Sequence, residues 1–301
     1  MKHTLKVTIA LVLFFFMAQF TGLLIINHYI DHKKTVEKKS VEWKPLPYSL
    51  ERPQVKNQST SFIYITIAIL IGTILALLLI KFNRTFIWKL WFFVTVWLTL
   101  SIAFAAFLNN FIAAVLALII SVLKLYKPDI IIQNLSEIFI YGGLAAIFVP
   151  IINLFAAFML LIVISVYDFV AVFKTKHMIK LAKFQSQSKV FAGLIIPYEK
   201  GKISIKSKAA AKLEAGEKKA KIAVLGGGDI GFTLIFAGVV MKGLMLQETM
   251  LTGFLKAMII PLVVSLTLLA LLLKGQQNKF YPAMPALSIG CFIGYLIVWL
   301  V

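Results

Sequence analysis

The chain is 301 residues long, 60% hydrophobic and only 14% charged, with a mean hydropathy of +0.93, which excludes a water-soluble globule and describes a polytopic membrane protein. A formal charge of +19 would suggest nucleic acid in a soluble protein, but here the basic residues gather between apolar runs, and no aromatic stacking pattern interleaves with them, so no nucleic-acid partner is expected. The single cysteine, Cys291, leaves no disulfide framework or thiolate metal site.

Apolar runs of about 20 residues predict nine membrane spans, at 4–27, 62–80, 86–108, 110–126, 130–149, 151–173, 222–241, 251–273 and 281–301. The first is longer than a secretory core and has no small-x-small cleavage site, so it reads as a retained anchor. The weakest boundaries fall at Asn109-Asn110 and at Pro150, and merging either pair of spans would reduce the count to eight. Charge tests the count, because cytosolic loops carry the excess of Lys and Arg. Nine spans put 22 basic residues on one face, including Lys124 and Lys127, and eight on the other, so the amino terminus is expected in the cytosol and the carboxyl terminus outside.

The polar stretch 174–221 holds 13 lysines against Glu199, Glu214 and Glu217, and reads as a solvated cytosolic loop that touches anionic lipid headgroups. Within it, residues 190–198, a turn at Glu199-Lys200-Gly201 and residues 202–205 are expected to form a short hairpin beside the membrane, whose edge could receive an extended peptide.

Two aspartates interrupt the apolar runs on either side of this loop. A carboxylate inside a membrane helix costs roughly 2.5 to 3.5 kcal/mol on insertion scales and marks a functional site by default. Asp168 lies six residues before Lys174 and Asp229 eight residues after Lys221, which at about 1.5 Å per residue are depths of roughly 9 and 12 Å below the same face, on antiparallel helices. Lys242 and Lys256 belong to the opposite face, and no His lies deep in a span. Two close carboxylates cannot easily both ionise, so they share a proton. That is the state aspartic-protease chemistry needs: one carboxylate takes a proton from water while the other polarises the peptide carbonyl. Gly226-Gly227-Gly228 precedes Asp229 and Gly231 follows it, permitting unwinding and close backbone approach. Taken singly, an intramembrane Asp is more often structural or part of an ion path, and a glycine run more often a packing surface; order and common depth favour the protease. Glu137 reads as an interfacial residue, and Tyr167 as a packing residue or a hydrogen-bonder to the active centre.

Tyr167-Asp168 in the sixth span, Gly226-Gly227-Gly228-Asp229 as a G-x-G-D in the seventh and Pro285-Ala286-Leu287 in the ninth resemble the signature of the presenilin and signal-peptide-peptidase intramembrane aspartyl proteases. The stretch 166–172, followed by Lys176-His177-Met178, looks closest to archaeal presenilin-like members. The resemblance implies that Asp168 and Asp229 are the catalytic pair, with Tyr167, Gly226, Gly227, Gly228, Pro285, Ala286 and Leu287 shaping the site or receiving substrate. It implies hydrolysis of a peptide bond within a substrate's transmembrane segment, without metal or organic cofactor. The middle position of G-x-G-D is Gly227, so cleavage preference is expected to differ from better-known relatives, and no long loop insertion calls for self-cleavage.

The expected fold is an all-α nine-helix membrane bundle, with a six-helix half (1–173), the Lys-rich loop (174–221) and a three-helix half (222–301). Expected partners are substrate transmembrane segments and membrane lipid, with oligomerisation possible. The alternative is a proton-coupled transporter using the aspartates as a relay, which predicts an inverted repeat; Gly142-Gly143 is the faint counterpart to the glycine run. Serine and zinc membrane proteases would need an intramembrane His or an H-E-x-x-H pattern, both absent from the sequence. Prepilin-type peptidases share G-x-G-D but not Pro-Ala-Leu.

Overall fold

The protein is described here by a computed structural model covering residues 4–127, 129–175, 181, 184–185, 188, 190–197, 222–275 and 281–301. In chain order it comprises α1 (Leu5–Tyr29), α2 (His32–Lys38), α3 (Ser61–Lys81), α4 (Thr85–Ala105), α5 (Asn110–Tyr126), α6 (Ile130–Phe148), α7 (Leu154–Phe169), β1 (Gly193–Pro197), β2 (Ile222–Gly226), α8 (Gly227–Leu244), α9 (Met250–Ala257), α10 (Ile259–Lys274) and α11 (Met284–Leu300). Seven helical segments among the described residues are long and apolar enough to cross a bilayer; α5 and α11, with 17 residues each, are shorter apolar helices at the lower limit of a span.

Both uncertain boundaries have a local cause. The Asn109 side chain accepts the Ile112 amide at 2.9 Å and starts α5, so α4 and α5 are separate helices. A single turn at Val149–Ile151, carrying Pro150, ends α6, and the Asn153 side chain then accepts the Ala156 amide at 2.9 Å to start α7.

The core is built by α1, α6, α7, α8, α10 and α11, with α8 packed against α1, α6, α7 and α11. In contrast, α3 buries only Ser61 and Ala76 and lies at the periphery against α7 and α4. Lipid is as apolar as the side chains, so contact here depends on close approach rather than on removal from water. At α6 that approach is made by Gly142 and Gly143: a Cβ on Gly142 would lie 3.1 Å from the Gly22 Cα of α1, and one on Gly143 would overlap the Thr99 carbonyl of α4. The Gly142-Gly143 pair is therefore a helix-packing surface, not a broken helix mirroring the one at Asp229.

Three sequence expectations change. Residues 222–226, expected to open the seventh span as helix, form β2 instead, pairing antiparallel with β1 from Gly193↔Gly226 to Pro197↔Ile222. The apolar run Ile-Ala-Val-Leu-Gly carries no helical period, and the chain on the far side of the loop supplies it with a partner. The first half of the expected hairpin is thus a strand with a different mate; the turn at 199–201 and residues 202–205 lie outside the described residues. Lys124 and Glu137, read as a loop lysine and an interfacial acid, are both buried and paired with each other, Nζ to Oε1 at 2.5 Å.

Candidate active site

The relative orientation of α7 and α8 follows from their contacts. Lys242, near the end of α8, donates to the carbonyls of Ile152 (2.6 Å), Val149 (3.1 Å) and Pro150 (3.4 Å), just before α7 begins. Midway, the Phe158 ring of α7 meets Phe236 of α8 at 5.1 Å, and both rings contact Phe292 and Tyr295 of α11. The helices are therefore antiparallel, and Asp168 and Asp229 sit beyond this aromatic cluster at the same end. Counting about 15 Å along α7 from Phe158 and about 10 Å back along α8 from Phe236, the two aspartates differ in axial level by roughly 5 Å.

Each aspartate is held by distinct local structure. Asp168, only 7% exposed, lies in the last turn of α7, which continues as a wider π-helical turn over Val170–Lys174. Its Oδ2 accepts the backbone amide of Met284 at 3.2 Å. That amide is the first of α11, whose own N-cap, Ala283, supplies no side-chain acceptor. Pro285 follows at the second helical position, where its missing N–H is one of the donors a helix start leaves over anyway. Asp168 thus caps a second helix, and the Pro285-Ala286-Leu287 segment is fastened to it, with Leu287 fully buried and Ser288 sharing a 2.8 Å hydrogen bond with Ser165 of α7.

Asp229 lies in the first turn of α8, directly after the β2 strand. A Cβ on Gly226 would stand 3.4 Å from its Oδ2; Gly228 faces open space apart from Phe232. Gly227 is different, because a Cβ there would overlap the Tyr141 hydroxyl and lie 3.0 Å from Cε1 and Cζ of that ring. Of the three glycines, Gly227 is the one that close packing demands. The same turn is pinned from α1, where Gln19 donates to the Ile230 carbonyl at 2.9 Å and to Thr233 Oγ1 at 2.8 Å.

Tyr167, the remaining residue of the expected set, points to α3, its hydroxyl 2.9 Å from Thr73 Oγ1. Sequence reasoning missed Gln19, Lys124, Gln133, Asn134 and Tyr141. The available signal was their polarity inside apolar runs, which is costly unless satisfied. Gln133 donates to the Phe191 and Gly193 carbonyls at 3.0 and 2.9 Å, while Asn134 both donates to the Ile195 carbonyl (2.7 Å) and accepts its amide (2.9 Å). These two side chains occupy the outer edge of β1; among the described residues no strand pairs with the outer edge of β2. Among the described residues no cluster of His, Cys, Asp and Glu could hold a metal ion.

A membrane bundle with one acid in each of two antiparallel core helices, the second behind a glycine run, belongs to the class of membrane-embedded aspartyl proteases. Comparison with known families places it more closely: the chain belongs to the family of signal-peptide peptidase, presenilin aspartyl protease, whose model matches residues 40–301. Among solved structures it is similar to a presenilin family intramembrane aspartate protease in space group C222 (18% identity, TM-score 0.58, covering 97% of this chain and 98% of that one). The same holds for a presenilin family intramembrane aspartate protease in space group P2 (16% identity, TM-score 0.59, 97% and 96% covered). Comparison with curated proteins gives no match. The chain is an integral membrane aspartyl endopeptidase of the presenilin type, and nothing in these comparisons supports the transporter alternative.

Proposed function

We propose that Asp168 and Asp229 are the catalytic pair and that each half of the chain, 1–173 and 222–301, contributes one of them. The observation that carries this reading is the convergence of three separate elements on one level: the end of α7, the glycine-lined start of α8 and the capped start of α11. One carboxylate, ionised, removes a proton from water as the oxygen attacks the scissile carbonyl carbon; the other, protonated, hydrogen-bonds the carbonyl oxygen and gives up its proton as the tetrahedral centre forms. Collapse breaks the C–N bond as the leaving nitrogen takes the proton that came from water, while a hydroxyl of the tetrahedral centre returns a proton to the other carboxylate, so the product is a carboxylic acid and the pair again holds one proton. No metal or organic cofactor enters these steps.

The substrate is a transmembrane segment of another protein, unwound at the cleaved bond. It docks as a third strand on the edge of β2 that no described strand occupies. Support comes from the ladder's alternation: Ile195 turns its amide and carbonyl toward Asn134, so its partner Val224 turns its own away from β1, three residues before Gly227 and next to the site. Val224 is 44% exposed. Gly226 to Gly228, Tyr167 and Pro285 to Leu287 shape the surroundings. The amino terminus and the 174–221 loop face the cytosol and the carboxyl terminus lies outside; setting aside the buried Lys124 and Lys242 leaves 21 basic residues against seven.

The test is cleavage of a reporter membrane peptide by the purified protein. Asp168→Asn and Asp229→Asn are each expected to lose about a hundredfold or more in rate. Wild-type rates in both would overturn the assignment. For topology, cysteine at 168 or 229 in a Cys291-free background should react with a polar reagent added from the cytosolic side, and silence from both positions would count against water entry there.

A further inference from the structure

Outside the aspartates, the described residues include a connected set of buried polar side chains centred on Glu137 of α6. Lys124 of α5 donates to Glu137 Oε1 (2.5 Å) and to Ser136 Oγ (2.8 Å). Gln133, one turn earlier on α6, donates to the same Oε1 at 3.0 Å, and the Tyr141 hydroxyl, one turn later, donates to Oε2. Glu137 and Lys124 are 1% and 4% exposed, Tyr141 5%. A buried ion pair contributes little net stability compared with apolar residues of the same size, so its presence calls for a role in specifying geometry. Here the geometry leads to one place. The Tyr141 ring lies on Gly227 and stands 3.5 Å from where a Cβ on Gly231 would be, spanning the helical turn that carries Asp229, and Asp229 is within electrostatic reach of its hydroxyl. Gln133 meanwhile ties the same carboxylate to the backbone of β1, the strand paired with the segment leading into that turn.

We propose that Tyr141, oriented by the Lys124–Glu137 ion pair, is a positioning residue for Asp229. Glu137 is the junction. One oxygen, through Gln133, fixes where the β ribbon lies relative to α6; the other, through Tyr141, fixes how α8 leaves that ribbon. Both ends of the β2–α8 corner are thereby referenced to a single carboxylate, and the corner determines where the Asp229 side chain points. Gly227 is needed because the ring occupies the space a methyl group would fill. The proposal rests on Asp229 acting in catalysis, and it adds a residue on a helix to which no family motif points.

The test compares Tyr141→Phe, Glu137→Gln and Gly227→Ala with Asp229→Asn, using reporter-peptide cleavage and thermal unfolding of the whole purified protein. Tyr141→Phe keeps the ring and removes only the tether, so it is expected to lower kcat by about tenfold to a hundredfold while leaving KM within a factor of about two. Glu137→Gln should do the same. Lys242→Met, which loosens the opposite end of the bundle, serves as the stability control and should lower the melting temperature with kcat unchanged for the folded fraction. Because the overlap at Gly227→Ala is chiefly with the phenolic oxygen, the double variant Tyr141→Phe/Gly227→Ala should run near the rate of Tyr141→Phe alone rather than at the product of the two losses. Wild-type kcat in both Tyr141→Phe and Glu137→Gln, or losses that track only the folded fraction, with Asp229→Asn inactive, would overturn the positioning role and leave the catalytic reading standing. Activity in Asp229→Asn would remove the basis of both.

Discussion

Asp168 can be asked to reveal its two tasks separately. Its carboxylate caps α11 through the Met284 amide at 3.2 Å, in a place that is 7% exposed, and it is also proposed to work on the peptide bond. Asparagine keeps an oxygen for the amide and carries no charge to desolvate; alanine removes the acceptor altogether. A cap is worth about 1 kcal/mol, and a buried amide left without its acceptor costs about 1–3 kcal/mol, so Asp168→Ala should be roughly 2 kcal/mol less stable than Asp168→Asn. For a chain of this size that is a melting difference of about 4 °C. Both variants should be inactive on the reporter peptide. The assay is thermal unfolding of the two purified variants side by side, with cleavage measured on the same samples. Coincident melting curves would refute the capping argument, and cleavage by Asp168→Asn at near wild-type rate would refute the catalytic one.

Other substitutions probe the packing and the proposed docking edge. Gly143→Ala drives a methyl group into the Thr99 carbonyl, with the carbonyl carbon only 2.8 Å away, and should cost about 1–3 kcal/mol or prevent assembly, whereas Gly72→Ala, which meets nothing within 4 Å, should match or exceed wild type in melting temperature. Lys242→Met leaves three carbonyls at the α6–α7 corner without their charged donor and should lower stability by about 1.5–3 kcal/mol, read by thermal unfolding. Val224→Pro removes an amide that faces away from β1 and should reduce kcat/KM by about tenfold with little change in melting temperature; an unchanged kcat/KM would argue against strand docking on β2.

The helical bundle could be read from the chain because seven of its helical segments are apolar runs long enough to cross lipid, and the Asn109 and Pro150 boundaries, which looked weakest, turn out to carry capping asparagines and a turn. Asp168 and Asp229 stood out for the opposite reason, as charges among apolar neighbours. What stayed hidden depended on contacts between distant segments. Ile222–Gly226 is apolar enough to pass for the start of a helix, and only the return of Gly193–Pro197 makes it a strand. Lys124 and Glu137 each sit near a span end, where a charge normally meets water; nothing local says that one finds the other. Tyr141 is one aromatic among many in this chain, and its distinction is that Gly227 lies under it.

The sealed outer edge of β1 has a consequence beyond substrate. A two-stranded ribbon at a membrane surface with both borders unsatisfied would invite neighbouring copies of itself to stack, and crowded bilayers would turn that into a growing array. By lending two amide side chains to one border, α6 withdraws the β1 flank from such stacking and leaves the β2 flank as the border for the strand proposed to dock there.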